Sequence, residues 1–176
     1  MNKEELIKTL RIVPDFPRKG IMFFDITTML KNPDAIETII DALYNYYKDK
    51  GITKIVGLES RGFFFAPILA HKLHVAFVPI RKAGKLPADT IEISYTKEYG
   101  TDSLQIHKDA IDENDVVLLH DDLLATGGSM KAAVDLVKKL NPKKIMINFA
   151  IELTNLNGRE VFDKDYDVYS LLYCTE

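Results

Sequence analysis

Residues 116–130 read VVLLHDDLLATGGSM, and this stretch gives the strongest indication of the fold. Four apolar residues lead into a polar end, a pattern that is typical of a buried strand in a parallel sheet. Asp121 and Asp122 stand at the carboxyl end of this strand, and a short loop of small residues leads into an amphipathic helix. The stretch therefore predicts a strand, a loop and a helix of an α/β protein.

The loop of this unit has the composition of a phosphate-binding site. Two glycines, which allow a tight turn and a close approach to a ligand, lie between two hydroxyl residues: Thr126, Gly127, Gly128 and Ser129. The backbone N–H groups of residues 126–130 open onto a helix N-terminus, where an anion is stabilised. Asp121 and Asp122 can accept hydrogen bonds from a diol or hold Mg²⁺ through water. The pattern suits a sugar phosphate; a glycine-rich turn beside a solvated acidic pair is the alternative.

Composition excludes several classes of protein. The 176 residues fit one domain, residues 1–176, and 47% hydrophobic content is ordinary for a soluble α/β protein. The net charge of −3 gives no footprint for nucleic acid, and no apolar run approaches the roughly 18 residues of a membrane span. The charged N-terminus lacks a signal-peptide core, and the single cysteine, Cys174, excludes an internal disulfide framework. We therefore expect a cytoplasmic protein without a nucleic-acid or membrane partner.

The remaining apolar patterns predict the rest of the fold. They indicate buried strands at 54–58, 75–80, 145–151 and 168–173, and helices at 3–11, 33–50, 63–72 and 130–140. Asn2 and Asn32 are the candidate N-caps of the first two helices. Alternation of strands and helices predicts a parallel twisted sheet with helices on both faces. Residues 89–108 alternate in polarity about Tyr99-Gly100, which predicts an inserted β-hairpin that can act as a lid.

Three further segments can be read in two ways from their residues alone. The aromatic segment 21–26 is either a core strand or a face on which a ring stacks. Arg61, in a loop at the end of a predicted strand, is as easily a surface cation as an anion ligand. The cations of segment 81–87 form either a solvated turn or a pyrophosphate clamp. Glu98, near the tip of the hairpin, is by itself a surface residue.

Five motifs, in this order along the chain, resemble the type I phosphoribosyltransferases, and among them the members that act on adenine. They are PDFPRKGIMFFDIT (14–27), GLESRGF (57–63), RKAGKLP (81–87), SYTKEYG (94–100) and DDLLATGG (121–128). The resemblance extends from Val13 to about Tyr173. It implies the type I phosphoribosyltransferase fold, with a purine-binding segment at about 13–28. It also implies that the phosphoribosyl group of phosphoribosyl pyrophosphate (PRPP) is transferred to adenine, giving AMP and pyrophosphate.

The resemblance also implies a role for each motif residue. It implies that the 5-phosphate is bound by the loop residues Ala125, Thr126, Gly127, Gly128 and Ser129, and the ribose by Asp121 and Asp122. The residues implied to bind pyrophosphate are Ser60, Arg61, Arg81, Lys82 and Lys85. Those implied to bind adenine are Met22, Phe23, Arg61 and Leu123. The implied catalytic residues are Glu98, Asp122 and Arg61, and Tyr99 belongs to the lid. Mg²⁺ would arrive with PRPP rather than on direct protein ligands, and the cationic segment implies a homodimer.

Three residues depart from the family pattern. Phe24 stands where the family usually has Arg, Ser129 where it has Thr, and His120 where it has an apolar residue. His120 either perturbs the pKa of Asp121 or fills a core position. Two other functions stay open: transfer to another purine base, for which no reader of an exocyclic oxygen is evident, and PRPP sensing without catalysis. Turnover separates the enzyme from the sensor.

Overall fold

The computed structural model describes residues 1–97 and 100–175. The strands of this part of the chain are β1 (Arg11–Pro14), β2 (Met22–Asp25), β3 (Lys54–Leu58), β4 (Ala76–Lys82), β5 (Thr90–Lys97), β6 (Gly100–His107), β7 (Val116–Leu124), β8 (Lys144–Leu153) and β9 (Asp167–Cys174). The α-helices are α1 (Lys3–Lys8), α2 (Thr27–Leu30), α3 (Pro33–Tyr47), α4 (Ala66–Leu73) and α5 (Gly128–Lys138). Short 3₁₀ turns occupy Arg61–Phe63, Thr154–Leu156 and Gly158–Val161. No helix within the described ranges has the length and apolarity to cross a membrane.

The main sheet has the order β5-β6-β4-β3-β7-β8-β9 and is parallel from β4 through β9. The hairpin β5–β6 adds two antiparallel strands to the edge of β4, where Arg81 pairs with Gln105 and Lys82 with Leu104. The predicted α/β fold, with its parallel sheet and inserted hairpin, is therefore confirmed. The turn of the hairpin, with Glu98 and Tyr99, lies outside the described residues.

Helices cover both faces of the sheet because each has one apolar side. Helices α1 to α4 pack on one face through residues that include Leu6, Met29, Ile39, Leu43 and Leu69. Helix α5 and the hairpin cover the other face through Leu104, Ile106, Met130, Val134 and Val137. Fully burying such a side chain contributes about 1.5–3 kcal/mol, so the two apolar layers fix the sheet between them.

The predicted caps are present, whereas several element boundaries differ from prediction. Asn2 accepts a hydrogen bond from the Glu5 amide in a reciprocal capping box, and Asn32 caps α3. The predicted helix 3–11 was too long: α1 ends at Lys8, and Arg11 already belongs to strand β1. The predicted helix 63–72 is interrupted: a 3₁₀ turn comes first, and α4 begins only at Ala66, with proline in its first turn. Strand β7 runs on to Leu124, so the acidic pair lies inside the strand.

In three neighbouring strands, the alternation of side chains between the two faces of the sheet is interrupted at corresponding positions. Leu118 and Leu123 of β7 both pack against the core under α1 to α4, although strict alternation would place them on opposite faces. In the next two strands, the consecutive pairs Ala150-Ile151 and Leu171-Leu172 also share that core. Such irregularities re-aim side chains, and here Leu123 is turned toward the carboxyl-end cleft.

Candidate active site

A cleft lies at the carboxyl ends of β3 and β7, where α/β sheets usually bind ligands. It consists of three adjoining cavities of about 340, 200 and 280 Å³, and Arg61 lines all three. Arg61 occupies this junction because the 3₁₀ turn after β3 carries it over the end of the sheet.

The first cavity brings residues of all five sequence motifs together. Four motifs contribute Phe23, Ser60, Arg61, Lys82 and Asp121 to its lining, and Ser129, directly after the last motif, also lines it. Tyr95 of the hairpin also lines it, and the Ser129 hydroxyl lies 3.4 Å from the Tyr95 hydroxyl. Tyr95 belongs to the motif 94–100, but the sequence gave this residue no role of its own in the site.

The second cavity is built by the loop before α5. All five predicted phosphate-loop residues line it: Ala125, Thr126, Gly127, Gly128 and Ser129. Gly127 has φ +81°, a conformation that favours glycine, and its carbonyl accepts a 2.9 Å hydrogen bond from the Lys131 amide as α5 starts. The first amides of α5 therefore have no earlier helical carbonyl to bond, and the helix dipole adds partial positive charge at the cavity.

The third cavity is an apolar slot. Three of the residues that the resemblance implies for adenine line it together: Met22, Phe23 and Leu123. The Arg61 guanidinium lies 5.5 Å from the centre of the Phe23 ring, and the ring of Phe16 meets Phe23 edge-on at 5.0 Å. A flat ring can enter this slot with apolar contacts on its faces and polar atoms at its rim.

Phe24 is a core residue. Its side chain is 5% exposed, it pairs with Ile12 across β1 and β2, and it packs in the cluster under α1 to α4. It also reaches the wall of the apolar slot. Phe24 therefore contributes apolar packing to both the core and the wall of the slot.

The acidic pair is held at high pKa by its surroundings. Burial raises the pKa of Asp121 well above its usual value, and the charge of Asp122 adds to this effect. Burial also raises the pKa of Asp122, although Arg61 opposes the shift with Nε 3.1 Å from Oδ2. This contact lacks hydrogen-bond alignment, since Asp122 Oδ2 accepts no hydrogen bond from the described residues. Asp121 lines two of the cavities, so a cation or hydroxyl donor in the cleft would stabilise its charged form, whereas Asp122 is 1% exposed and lines none of the three.

Glu59 organises the cations beside the first cavity, and the sequence analysis missed it. Its carboxylate is 8% exposed, pairs with Arg81 at 3.1 Å and with Lys85, and accepts the Lys82 amide at 2.9 Å. Burial alone would raise the pKa of Glu59, but the hydrogen bonds from Lys85, Lys82 and Arg81 lower it to about 2. An acid directly after a strand, in a chain with a cationic segment downstream, was the available signal.

The predicted pyrophosphate residues divide into two groups. Ser60, Arg61 and Lys82 line the first cavity, whereas Arg81 and Lys85 line none of the three and contact Glu59 instead. Glu98 and Tyr99 lie outside the described residues, so their positions are untested. Among the described residues, no three His, Cys, Asp or Glu side chains converge as a metal site.

His120 fills a core position. It is fully buried, its Nδ1 lies 2.6 Å from Asn148 Oδ1, and its ring meets Phe65 edge-on. Burial lowers the pKa of His120 to about 4, against the Asn148 hydrogen bond, so the ring is neutral at pH 7. The core alternative of the sequence analysis is thus the one seen, and the causes that raise the pKa of Asp121 do not include His120.

The fold and the cleft define a class of enzyme. Residues 25–175 match the family described as phosphoribosyl transferase domain, so the chain belongs to the phosphoribosyltransferases, which are pentosyltransferases. The family resemblance drawn from the five motifs is therefore confirmed.

Its relatives within that family carry a narrower name. The adenine phosphoribosyltransferase of Bacteroides thetaiotaomicron is 63% identical over 172 residues, covering 98% of each chain. The crystal structure of the Thermoanaerobacter pseudethanolicus adenine phosphoribosyltransferase superposes with a TM-score of 0.93 at 46% identity, covering 98% of this chain and 100% of that one. The Giardia lamblia enzyme complexed with 9-deazaadenine gives 0.94 at 39% identity, covering 100% and 99%.

Proposed function

We propose that this chain is an adenine phosphoribosyltransferase of purine salvage, built as one domain that transfers the 5-phosphoribosyl group of PRPP to adenine. The observation that carries the proposal is the junction at Arg61. There the apolar slot and the phosphate-loop cavity adjoin the first cavity, and Asp121 lines both the first cavity and the phosphate-loop cavity. The names of the relatives supply the base.

The sugar phosphate is assigned to the second cavity and its rim. The amides at the start of α5, with the hydroxyls of Thr126 and Ser129, would hold the 5-phosphate. Asp121 and Asp122 would accept hydrogen bonds from the 2- and 3-hydroxyls of ribose. Their negative charge would also stabilise the oxocarbenium-like ring that forms as the glycosidic bond changes.

Adenine is assigned to the apolar slot, between Phe23 and Leu123. Stacking of a base on an aromatic side chain contributes roughly 1–3 kcal/mol. Backbone groups near Met22 would read the edge of the base, and Arg61 would lie against it. Glu98 is proposed as the acid–base group that takes up the proton released from the imidazole nitrogen of adenine.

Pyrophosphate binding is assigned to Ser60, Arg61 and Lys82. Arg81 and Lys85 are assigned to the same site, where each forms an ion pair with Glu59. In the reaction, the bond from ribose C1 to the pyrophosphate oxygen breaks, and the oxygen keeps the electron pair. A new bond joins C1 to the adenine nitrogen, which gives up its proton. The cations stabilise the charge that develops on the leaving group.

The residues fit a Mg²⁺ ion that PRPP carries. A cation of this kind prefers oxygen ligands and keeps several waters, and Asp121 lines two of the cavities with a carboxylate that burial destabilises. Asp121 and Asp122 would hold it through water. When bound, the ion neutralises charge on pyrophosphate.

We also propose a cytoplasmic homodimer. A single cysteine, buried Cys174, suits a reducing compartment. The dimer rests on the resemblance of segment 81–87, whose cations are partly exposed beside the cleft. Sedimentation velocity tests the dimer, since a monomer at micromolar concentration would contradict it.

The test of function is pyrophosphate release from PRPP and Mg²⁺ with adenine, hypoxanthine, guanine or xanthine, one base at a time. We expect release with adenine alone. Release with an oxopurine would keep the PRPP site but overturn the base assignment. Binding of PRPP without release for any base would overturn the enzyme and favour a sensor.

A further inference from the structure

The turn Gly158–Val161 packs against the phosphate loop, residues 125–129. A Cβ atom added to Gly127 would lie 2.5 Å from the Gly158 carbonyl oxygen and 2.7 Å from Val161 Cγ2. A Cβ atom added to Gly158 would overlap the carbonyl oxygen of Ala125. Because neither glycine has a Cβ atom, the backbones of the loop and the turn can lie in contact. The loop therefore cannot move toward the turn unless the turn moves as well.

Arg159 fixes that turn to two strands. Its Nε donates to both carboxylate oxygens of Glu152, at 2.7 and 2.8 Å. The terminal nitrogens donate to the Val168 carbonyl at 2.8 Å and the Ser170 hydroxyl at 3.2 Å. Glu152 is 6% exposed in β8, while Val168 and Ser170 belong to β9.

The anchor lies directly beside the loop. Glu152 pairs in register with Leu124, the last residue of β7, and Ala125 follows at once. One guanidinium thus joins β8, β9 and the turn that supports the loop. Lysine could keep the charge but could not make this planar set of contacts.

We infer that Arg159 and Glu152 are positioning residues, which hold the 157–161 turn so that the loop 125–129 is preformed for a 5-phosphate. Neither residue lines the three cavities of the cleft. The inference rests on the proposed function for the identity of the phosphate. Misplacement of a positioning group by about 1 Å can lower a rate by about 100-fold. A turn that no longer holds the loop in place would therefore weaken binding of the 5-phosphate in particular.

The test uses two variants, Arg159→Lys and Gly158→Ala, in the full chain. The first keeps the charge next to Glu152 and removes the fork; the second pushes on Ala125 without touching the ion pair. Isothermal titration would measure affinity for ribose 5-phosphate and, separately, for pyrophosphate with Mg²⁺. We expect ribose 5-phosphate to bind between about 10- and 100-fold more weakly in both variants, with pyrophosphate affinity within about twofold of wild type.

Asp167→Asn is the matched control. It removes the ion pair with Lys50, 2.7 Å long, at the start of the same strand β9. We expect it to lower Tm without changing either affinity. Steady-state kinetics on the same variants should show a raised KM for PRPP with an unchanged KM for adenine.

Equal weakening of ribose 5-phosphate and pyrophosphate would overturn the inference, and so would no weakening of either. If both variants fail to fold, hydrogen exchange on the wild-type protein decides. Ribose 5-phosphate should protect amides of 157–161 together with those of 125–129, and protection of 125–129 alone would contradict the inference. These binding measurements stand even if adenine proves not to be the base, whereas wild-type turnover tests that point separately.

Discussion

Arg61 and Asp122 form the central contact of the cleft, with 3.1 Å between Nε and Oδ2. The same guanidinium lies over the Phe23 ring and lines all three cavities. A single planar cation therefore touches the proposed base site and the proposed ribose site, and it faces the proposed pyrophosphate site. Replacing it should disturb all three.

Arg61→Lys keeps the positive charge but loses the planar surface and the fixed geometry. We expect kcat/KM to fall about 100-fold, with a higher KM for adenine, because stacking and charge stabilisation are lost together. Initial rates of pyrophosphate release measure this. Arg11→Lys, at a pair with Asp25 in which the arginine is about half exposed, is the matched control and should keep wild-type kinetics. A wild-type rate in Arg61→Lys would remove Arg61 from the mechanism.

Asp121→Asn should stabilise the unliganded protein while abolishing turnover. The folded-state pKa of Asp121 is raised above its unfolded value, so its ionisation near pH 7 opposes folding, and the penalty vanishes as the pH falls below both values. Thermal unfolding at pH 7 should show a higher Tm for the variant, by about 2–4 °C for each kcal/mol relieved. The difference should shrink toward pH 4. A lower Tm for the variant at pH 7 would contradict the assigned direction.

Glu59→Gln should weaken both the fold and the pyrophosphate site. The folded pKa of Glu59, about 2, lies below its unfolded value, so its stabilising effect is present above about pH 4.5 and is lost as the pH falls toward 2. We expect a loss of about 2 kcal/mol in the free energy of unfolding at pH 7, discounted for the exposed lysine, and a raised KM for pyrophosphate in the reverse reaction. Urea unfolding at pH 7 and pH 3 measures the first part.

The control for Glu59 is Asp41→Asn, which breaks an exposed pair with Lys72 on the helices away from the cleft. This variant should match wild type in stability to within about 1 kcal/mol and in KM for pyrophosphate. If Glu59→Gln behaves like this control, the carboxylate does not organise the cations.

Phe23→Ala tests the base slot. Loss of stacking should raise the KM for adenine by about 10- to 100-fold and leave the KM for PRPP near wild type. Phe16→Ala, which removes only the edge-on neighbour of Phe23 and is half exposed, should have a much smaller effect. Equal effects on the two KM values in Phe23→Ala would indicate that the ring does more than face the base.

Much of this architecture could be predicted from the sequence because its signals are local. Buried strands such as 116–119 and caps such as Asn32 depend on neighbours along the chain. The rule that ligands bind at the carboxyl ends of parallel strands then brought Arg61, Asp121 and Ser129 to one cleft.

The features that escaped prediction depend on contacts between distant segments. Glu59 meets Arg81 and Lys85 only after β3 and β4 pair, and Arg159 meets Val168 only across the end of the sheet. Which residues of segment 21–26 are core and which face the slot depends on packing under α1 to α4, so the sequence left Phe24 open between the two. The shifted alternation at Asp122 breaks the two-residue period on which strand prediction relies.

The pairing of β6 with β4 limits how the hairpin can open. Its base is joined to Arg81 and Lys82 by main-chain pairing, so swinging the whole hairpin outward would strip the sheet at the strand that carries these cations. A motion that leaves the sheet intact has its hinge beyond this base, toward the Ser94–Ser103 hydroxyl contact of 2.8 Å. In such a motion, strand β4 would keep its pairing with β6, and Arg81 and Lys82 would stay in place beside the cleft.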